Sequence, residues 1–193
     1  MGSSVDNGKA WPGQPAGNRS PVGAAAALPD GLSLKRRVEA LRVLIVDDNV
    51  YIRRVVRGML QHLGVRAVHE AADGVSGLEA IRALNPDVVL LDWEMPLLNG
   101  AEFMRIVRSP DLFPFPDVSI VMLTSHGERW RVVESARLGV NEFLVKPVSP
   151  QRLLEKLHAL VARPRPFVQT SAYYGPEPRR PTGELPEAAS PDR

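Results

Sequence analysis

The chain has no cysteine in 193 residues. That excludes disulfides, thiolate metal sites and cysteine nucleophiles, and it fits a reducing cytoplasm. No apolar run approaches the ~18–20 residues of a membrane-spanning helix. The first residues lack the basic and then apolar pattern of a secretory leader. Neither sign of charge dominates. A formal charge of +2 is too small to argue for nucleic acid. The sequence pI of about 9.2 overstates the basicity, because few groups titrate between neutral pH and that value. A soluble cytoplasmic protein with no direct DNA or membrane contact is the expectation.

Proline, by contrast, is plentiful, with 18 residues unevenly placed. Residues 1–30 are small, Gly/Pro-rich and almost without aliphatic anchors. They bury too little to offset their ordering entropy, so a disordered arm is expected over 1–37. Residues 163–193 form a second proline-rich segment, a tail too poor in core residues to supply an output domain. It holds Phe167-Val168 and Tyr173-Tyr174, followed by Arg179-Arg180. Three readings stay open for these: folding back on the domain, docking a partner, or a loose remnant with no role. Periodic hydrophobicity is confined to residues 38–162, and no internal repeat is visible.

Within 38–162 strands and helices alternate. Leu41–Val46 reads as a strand ending in Asp47-Asp48. Asn49 can cap a helix whose apolar positions are Ile52, Val55, Val56, Met59, Leu60 and Leu63, stopped by Gly64. Val65–Ala71 is a second strand, followed by turn chemistry at Asp73-Gly74. A helix with Leu78, Ile81 and Leu84 on one face ends before Pro86. The uninterrupted run Asp87–Leu91 reads as a strand buried on both faces. Ala101–Val107 is helical, Ser119–Leu123 a fourth strand, Arg129–Leu138 a helix stopped by Gly139. Glu142–Val145 is a fifth strand, ending in Lys146-Pro147. Ser149 caps a last helix with Pro150 in its first turn and Leu153, Leu154, Leu157, Leu160 and Val161 inward. Five βα units imply an α/β fold, a parallel sheet with helices on both faces, and such sheets carry their sites beyond the carboxyl ends of the strands.

The strand ends are therefore the place to look. Strand one ends in Asp47-Asp48, strand three in Asp92, strand four in Thr124-Ser125 and strand five in Lys146. Each feature alone is weak, since acids also complement helix N-termini and Lys-Pro also makes turns. Their conjunction is harder to obtain by chance. Two unit charges ~4 Å apart cost about 4 kcal/mol at an effective dielectric near 20, so clustered carboxylates need a cation or a raised pKa. Oxygen ligands without cysteine or histidine suit Mg²⁺, with Mn²⁺ as a substitute. A carboxylate can also attack a phosphoryl group, and phosphoryl transfer needs an in-line nucleophile, a metal and positive charge. Asp92 fits the nucleophile. Asp48 and Asp92 fit direct metal ligands, with Asp47 acting through water. Lys146 and Thr124 fit contacts to the transferred group.

Asp47-Asp48, Asp92 with Met95-Pro96 and Gly100, Thr124-Ser125 and Lys146-Pro147 together resemble the receiver domain of bacterial two-component response regulators, of the stand-alone chemotaxis-regulator kind. The resemblance covers about residues 40–162. It implies a flavodoxin-like doubly wound sheet of order 2-1-3-4-5. It implies that Asp92 accepts a phosphoryl group from a histidine kinase or a histidine phosphotransfer protein, with Mg²⁺ held also by the Glu94 backbone carbonyl. Thr124 and Ser125 then belong to the switch, Phe143 is the aromatic that turns inward, and the Lys146–Pro147 bond is cis. The output surface it implies is the fourth helix, fifth strand and fifth helix of the pattern, roughly residues 128–162, which would meet a downstream protein or a second copy. Such a chain is a signalling phosphoacceptor and not an enzyme in its own right.

Plainer readings stand beside several of these. Phe143 lacks a hydroxyl and also suits an ordinary core position. Glu94 and His126, two residues beyond Asp92 and Thr124, either tune the phosphoryl group or are solvated side chains. Trp93 reads as a partly exposed lid, and Trp130 between Arg129 and Arg131 as an output-face anchor or helix packing. His62, His69 and His158 show no metal-ligand spacing. Two other functions compete: a binding module that works without phosphorylation, and a small-molecule phosphatase. The phosphatase reading expects an Asp-x-Asp pair after the first strand and a substrate cap, and neither is present.

Overall fold

The computed structural model describes residues 33–125 and 129–178, with residues 129–132 described by their backbone only. The elements run α1 (Leu34–Glu39), β1 (Arg42–Val46), α2 (Val50–His62), β2 (Ala67–Ala71), α3 (Gly74–Leu84), β3 (Val88–Asp92), α4 (Gly100–Val107), β4 (Ser119–Thr124), α5 (Arg129–Arg137), β5 (Glu142–Val145), α6 (Pro150–Ala162), β6 (Phe167–Gln169) and β7 (Tyr174–Pro176). The first five strands form one parallel sheet in the order β2-β1-β3-β4-β5. This is the doubly wound order that the resemblance implied. None of the described helices is long and apolar enough to cross a membrane.

The apolar runs are explained by burial on both faces. Every residue of β3 and β4 is buried. Because side chains alternate, Val43, Ile45, Val88 and Leu90 join Val56 and Leu60 of α2 and Leu153 and Leu157 of α6 in one core. Leu44, Val46, Val89 and Leu91 join Ile81 of α3 and Phe103, Met104 and Val107 of α4 in the other. Full burial of each such side chain contributes about 1.5–3 kcal/mol.

Capping fixes where the helices start. Asn49 accepts from the backbone N–H of Tyr51 and Ile52, and Ser149 accepts from Arg152. Asp73 and Ser76 form a reciprocal capping box, so Asp73-Gly74 opens α3 and is not a separate turn. At the other end of α3, Asn85 takes the left-handed conformation (φ 45°) and closes the helix before Pro86. Leu84 and Val55 lie on solvent-facing flanks, not in the core their spacing suggested.

The termini differ from the expected bounds. Helix α1 begins at Leu34, capped by Ser33, and Val38 is buried in the core beside α6. The segment after α6 returns to the domain as the antiparallel β6–β7 hairpin. Residues 1–32 and Arg179-Arg180 lie outside the described residues, as do His126 and the side chain of Trp130.

One glycine bears directly on the site. A Cβ at Gly100 would lie 2.8 Å from the Asp92 carbonyl oxygen and 2.9 Å from Trp93 Cα. The chain leaving Asp92 therefore folds tightly under the start of α4, and Gly100 N–H donates to Trp93 O at 2.9 Å. Gly100→Ala should cost about 1–3 kcal/mol in urea denaturation through this backbone clash. A Cβ at Gly58, on the exposed side of α2, would meet no atom within 4 Å, so Gly58→Ala should instead stabilise by about 0.5–1 kcal/mol.

Candidate functional site

Three strands bring their polar ends to one edge of the sheet. Asp92 is the last residue of β3, Asp47-Asp48 follow β1, and Lys146 follows β5. Neighbouring register pairs Asp92 with Leu123 and Thr124 with Val145. Asp47, Asp48 and Asp92 each offer a carboxylate oxygen, and these oxygens lie within 4.8 Å of one another. Asp47 and Asp92 are buried, while Asp48 is exposed. Among the described residues this is the one such group of acids and histidines. His62, His69 and His158 take no part in it.

Lys146 stands between the two buried acids. Its Nζ donates to Asp47 Oδ2 at 2.8 Å and lies 2.9 Å from Asp92 Oδ1. The second contact is an ion pair to a buried oxygen, Asp92 Oδ1. Backbone geometry anchors the rest. Asn49 N–H donates to Asp47 Oδ1, Arg53 Nη1 donates to Asp47 O at 2.7 Å, and Lys146 N–H donates to Thr124 O at 2.8 Å. The Asp92 carboxylate also accepts the Glu94 backbone N–H.

The electrostatics follow from burial. Removal from water pushes the Asp92 carboxyl above the usual carboxylate range; Lys146 opposes this without cancelling it, and Asp47 adds to the rise. Burial alone would pull Lys146 down, but its hydrogen bond to Asp47 and its pairing with Asp92 outweigh that and hold it above the ordinary lysine value. Three carboxylates against one ammonium leave a negative site. An all-oxygen donor set of three clustered carboxylates, with more negative charge than Lys146 offsets, fits a hard divalent cation such as Mg²⁺.

The other expected positions divide. Thr124 is fully buried at the end of β4, and Ser125 is exposed beside it. Glu94 has an exposed side chain. The Lys146–Pro147 peptide is cis. Phe143 is half-buried, packed on the core that holds Phe103 and Met122. Trp93 is not a partly exposed lid: it is 8% exposed and belongs to that same core, because the turn at Gly100 folds the chain over it. Sequence reasoning missed Arg53, whose position four residues past the Asn49 cap turns it back toward Asp47 and Glu70. It also missed an open cleft of about 770 Å³ beside the acids, to which Asp48, Glu94, Met95, Glu102, Arg105 and Glu134 contribute.

Comparison with known proteins agrees with this geometry. Residues 43–158 match the family model described as the response regulator receiver domain. The chemotaxis protein CheY1 of Helicobacter pylori is 37% identical over 123 residues, 63% of this chain and 97% of that relative. The chemotaxis protein CheY of Pseudomonas aeruginosa is 33% identical over 123 residues, 64% of this chain and 98% of that one. Among solved structures, Vibrio cholerae chemotaxis protein CheY4 is similar with a TM-score of 0.54 and 36% identity, covering 61% of this chain and 97% of its own. The receiver domain of sensor histidine kinase PA1611 from P. aeruginosa, which has a magnesium ion coordinated in its active-site cleft, is similar with a TM-score of 0.57 and 27% identity, covering 64% and 98%.

Replacing Lys146 isolates the bridging charge. Lys146→Met leaves two buried carboxylates facing each other. It should lower stability by about 2–4 kcal/mol in urea denaturation without divalent cations, at or just below the usual cost of stripping one partner from a buried pair because Lys146 keeps some water contact. Unchanged stability would show that the bridge is not needed to hold the strand ends together.

Proposed function

The chain belongs to the response regulator receiver domain family of two-component signalling, and from that premise we propose that it is a phosphorylation switch whose phosphoacceptor is Asp92. The observation that carries this reading is the buried Asp92 carboxylate at the tip of the central strand, paired with Lys146 and gathered with Asp47 and Asp48 within 4.8 Å. A carboxylate oxygen of Asp92 attacks the phosphorus of a phosphohistidine on a histidine kinase or phosphotransfer protein. The new P–O bond forms as the P–N bond breaks, and the histidine nitrogen leaves with the bonding pair. Asp47, Asp48, Asp92 and the Glu94 carbonyl would hold Mg²⁺, which when bound supplies charge neutralisation for the phosphoryl oxygens. The P. aeruginosa receiver with magnesium in its cleft supports this by likeness.

The remaining roles belong to residues at the neighbouring strand ends. Lys146 transfers its ammonium from Asp92 to a phosphoryl oxygen, a move of one contact since it already sits 2.9 Å from Asp92 Oδ1. Thr124 offers its hydroxyl to the same group. Phosphorylation adds about −1.5 to −2 charges among carboxylates, so Thr124 and Lys146 are the contacts that differ between the two states. They bias β4, α5 and β5, and through them the α5–β5–α6 face that meets a downstream protein or a second copy. Ser125, His126 and Phe143 tune this change. Residues 38–162 form the receiver unit of this reading, acting in the cytoplasm without a DNA contact of its own.

Incubation with Mg²⁺ and a small phosphodonor should add one acid-labile phosphoryl group to the wild type and none to Asp92→Asn by intact-mass measurement. An equal adduct on the variant, or none on the wild type, would overturn the reading. Mg²⁺ at about 100 times its dissociation constant should raise folding stability by about 2.7 kcal/mol, and Asp48→Asn should lose most of that gain in a thermal melt.

A further inference from the structure

The phosphoryl chemistry leaves residues 163–178 without a role, yet they are fastened to the domain with care. After α6 the chain doubles back, and Arg165 donates from Nη2 to Val140 O and Asn141 O and from Nη1 to Glu177 O at 2.9 Å. The Phe167 ring lies 4.9 Å from the Arg108 guanidinium carbon and 5.7 Å from the Tyr174 ring. Arg108 is itself buried. Its Nε donates to Gly139 O at 2.9 Å, its Nη1 to Pro116 O, and its Nη2 to Asn141 Oδ1 at 3.0 Å. Burial lowers its pKa to about 10, so it remains a cation at neutral pH. A buried cation needs such acceptors and a ring face, and the tail supplies the ring.

Two glycines mark the crossing. A Cβ on Gly139 would come within 2.9 Å of Tyr174 O, and a Cβ on Gly175 within 2.8 Å of Gly139 Cα. Gly139 also has a φ of +79°, which by itself favours glycine. Gly175 has no such φ, so only the close passage of the two backbones and the Tyr173 ring, whose hydroxyl would lie 2.6 Å away, demands glycine there. Tail and domain are thus fitted to each other at this point.

The place they meet is the far end of the switch strands. Asn141 Oδ1 accepts from Ile120 N–H at 2.9 Å, and Asn141 N–H donates to Ile120 O at 2.9 Å. The end of α4, the starts of β4 and β5 and the hairpin are therefore joined in one knot. Thr124 and Lys146 stand at the opposite ends of the same two strands. We propose that residues 163–178 are a clasp that fixes the α5–β5 corner and thereby sets how freely β4, α5 and β5 shift when Asp92 is phosphorylated. The first half of this stands on the contacts alone; the second rests on the phosphoacceptor reading. The clasp closes on its own chain, with only Arg163 and Pro164 between the end of α6 and Arg165.

Hydrogen exchange read by mass spectrometry on the whole chain separates the two halves. Gly175→Val and a chain ending at Arg163 should exchange the amides of residues 139–141 and of α5 about tenfold faster or more, while β1, β2 and β3 keep their rates. A chain ending at Pro178 should match the full chain. Unchanged rates at 139–141 in both altered chains, or rates raised equally throughout the sheet, would overturn the clasp. With a small phosphodonor and Mg²⁺, the loosened chains should label at Asp92 about fivefold faster, the low end of coupling between two sites. Faster exchange with equal labelling would overturn the coupling and reduce the segment to a staple. Failure of the wild type to label would overturn the phosphoacceptor reading and the coupling with it, while exchange still decides the clasp.

Discussion

The ammonium of Lys146 between the Asp47 and Asp92 carboxylates is the contact around which the carboxyl edge of the sheet is organised. Three segments far apart in sequence meet there, each placed by a strand that is itself held by register to its neighbour. Without a positive charge at that point, two buried acids would repel through a medium of low polarity. Lys146 meets both at close range, Asp47 at 2.8 Å and Asp92 at 2.9 Å. The same ammonium thus neutralises both buried acids at once.

Much of this was legible in the sequence because parallel sheets buried on both faces write themselves as plain apolar runs. Val88–Leu91 and Ser119–Leu123 marked the central strands, and the polar residues that follow them marked the site edge. Asn49 and Ser149 announced their helices as caps. What was not legible came from geometry that spacing does not encode. Asp73-Gly74 carries the composition of a turn, and only its reciprocal bond with Ser76 makes it a helix start. Trp93 reads as a lid because it stands between two acids, and the fold buries it because Gly100 allows the chain to close over it. Arg53 could have been suspected from its place one turn beyond the Asn49 cap, but its bond to Asp47 O depends on how β1 enters α2.

The segment after α6 shows the same limit from the other side. Composition marked it as too poor in aliphatic residues to form a core of its own. It does not need one. Arg165 and Phe167 attach to a surface already built, using carbonyls left by the α5–β5 corner and the face of a cation the domain has already buried. Short strands of three residues are marginal alone and persist here because their backbone runs against Gly139.

The pairing of Gly139 with Gly175 sets where the domain can be cut and joined. Ala162 is the natural seam by helix count, since the last long helix ends there. A protein engineer who grafts a new module at that seam, or exchanges receivers between chains, would strip the aromatic ring from Arg108 and open its guanidinium to water. The chain's effective boundary for fusion lies beyond Pro176, past the hairpin, and any transplanted corner must travel with the tail that was shaped to cross it.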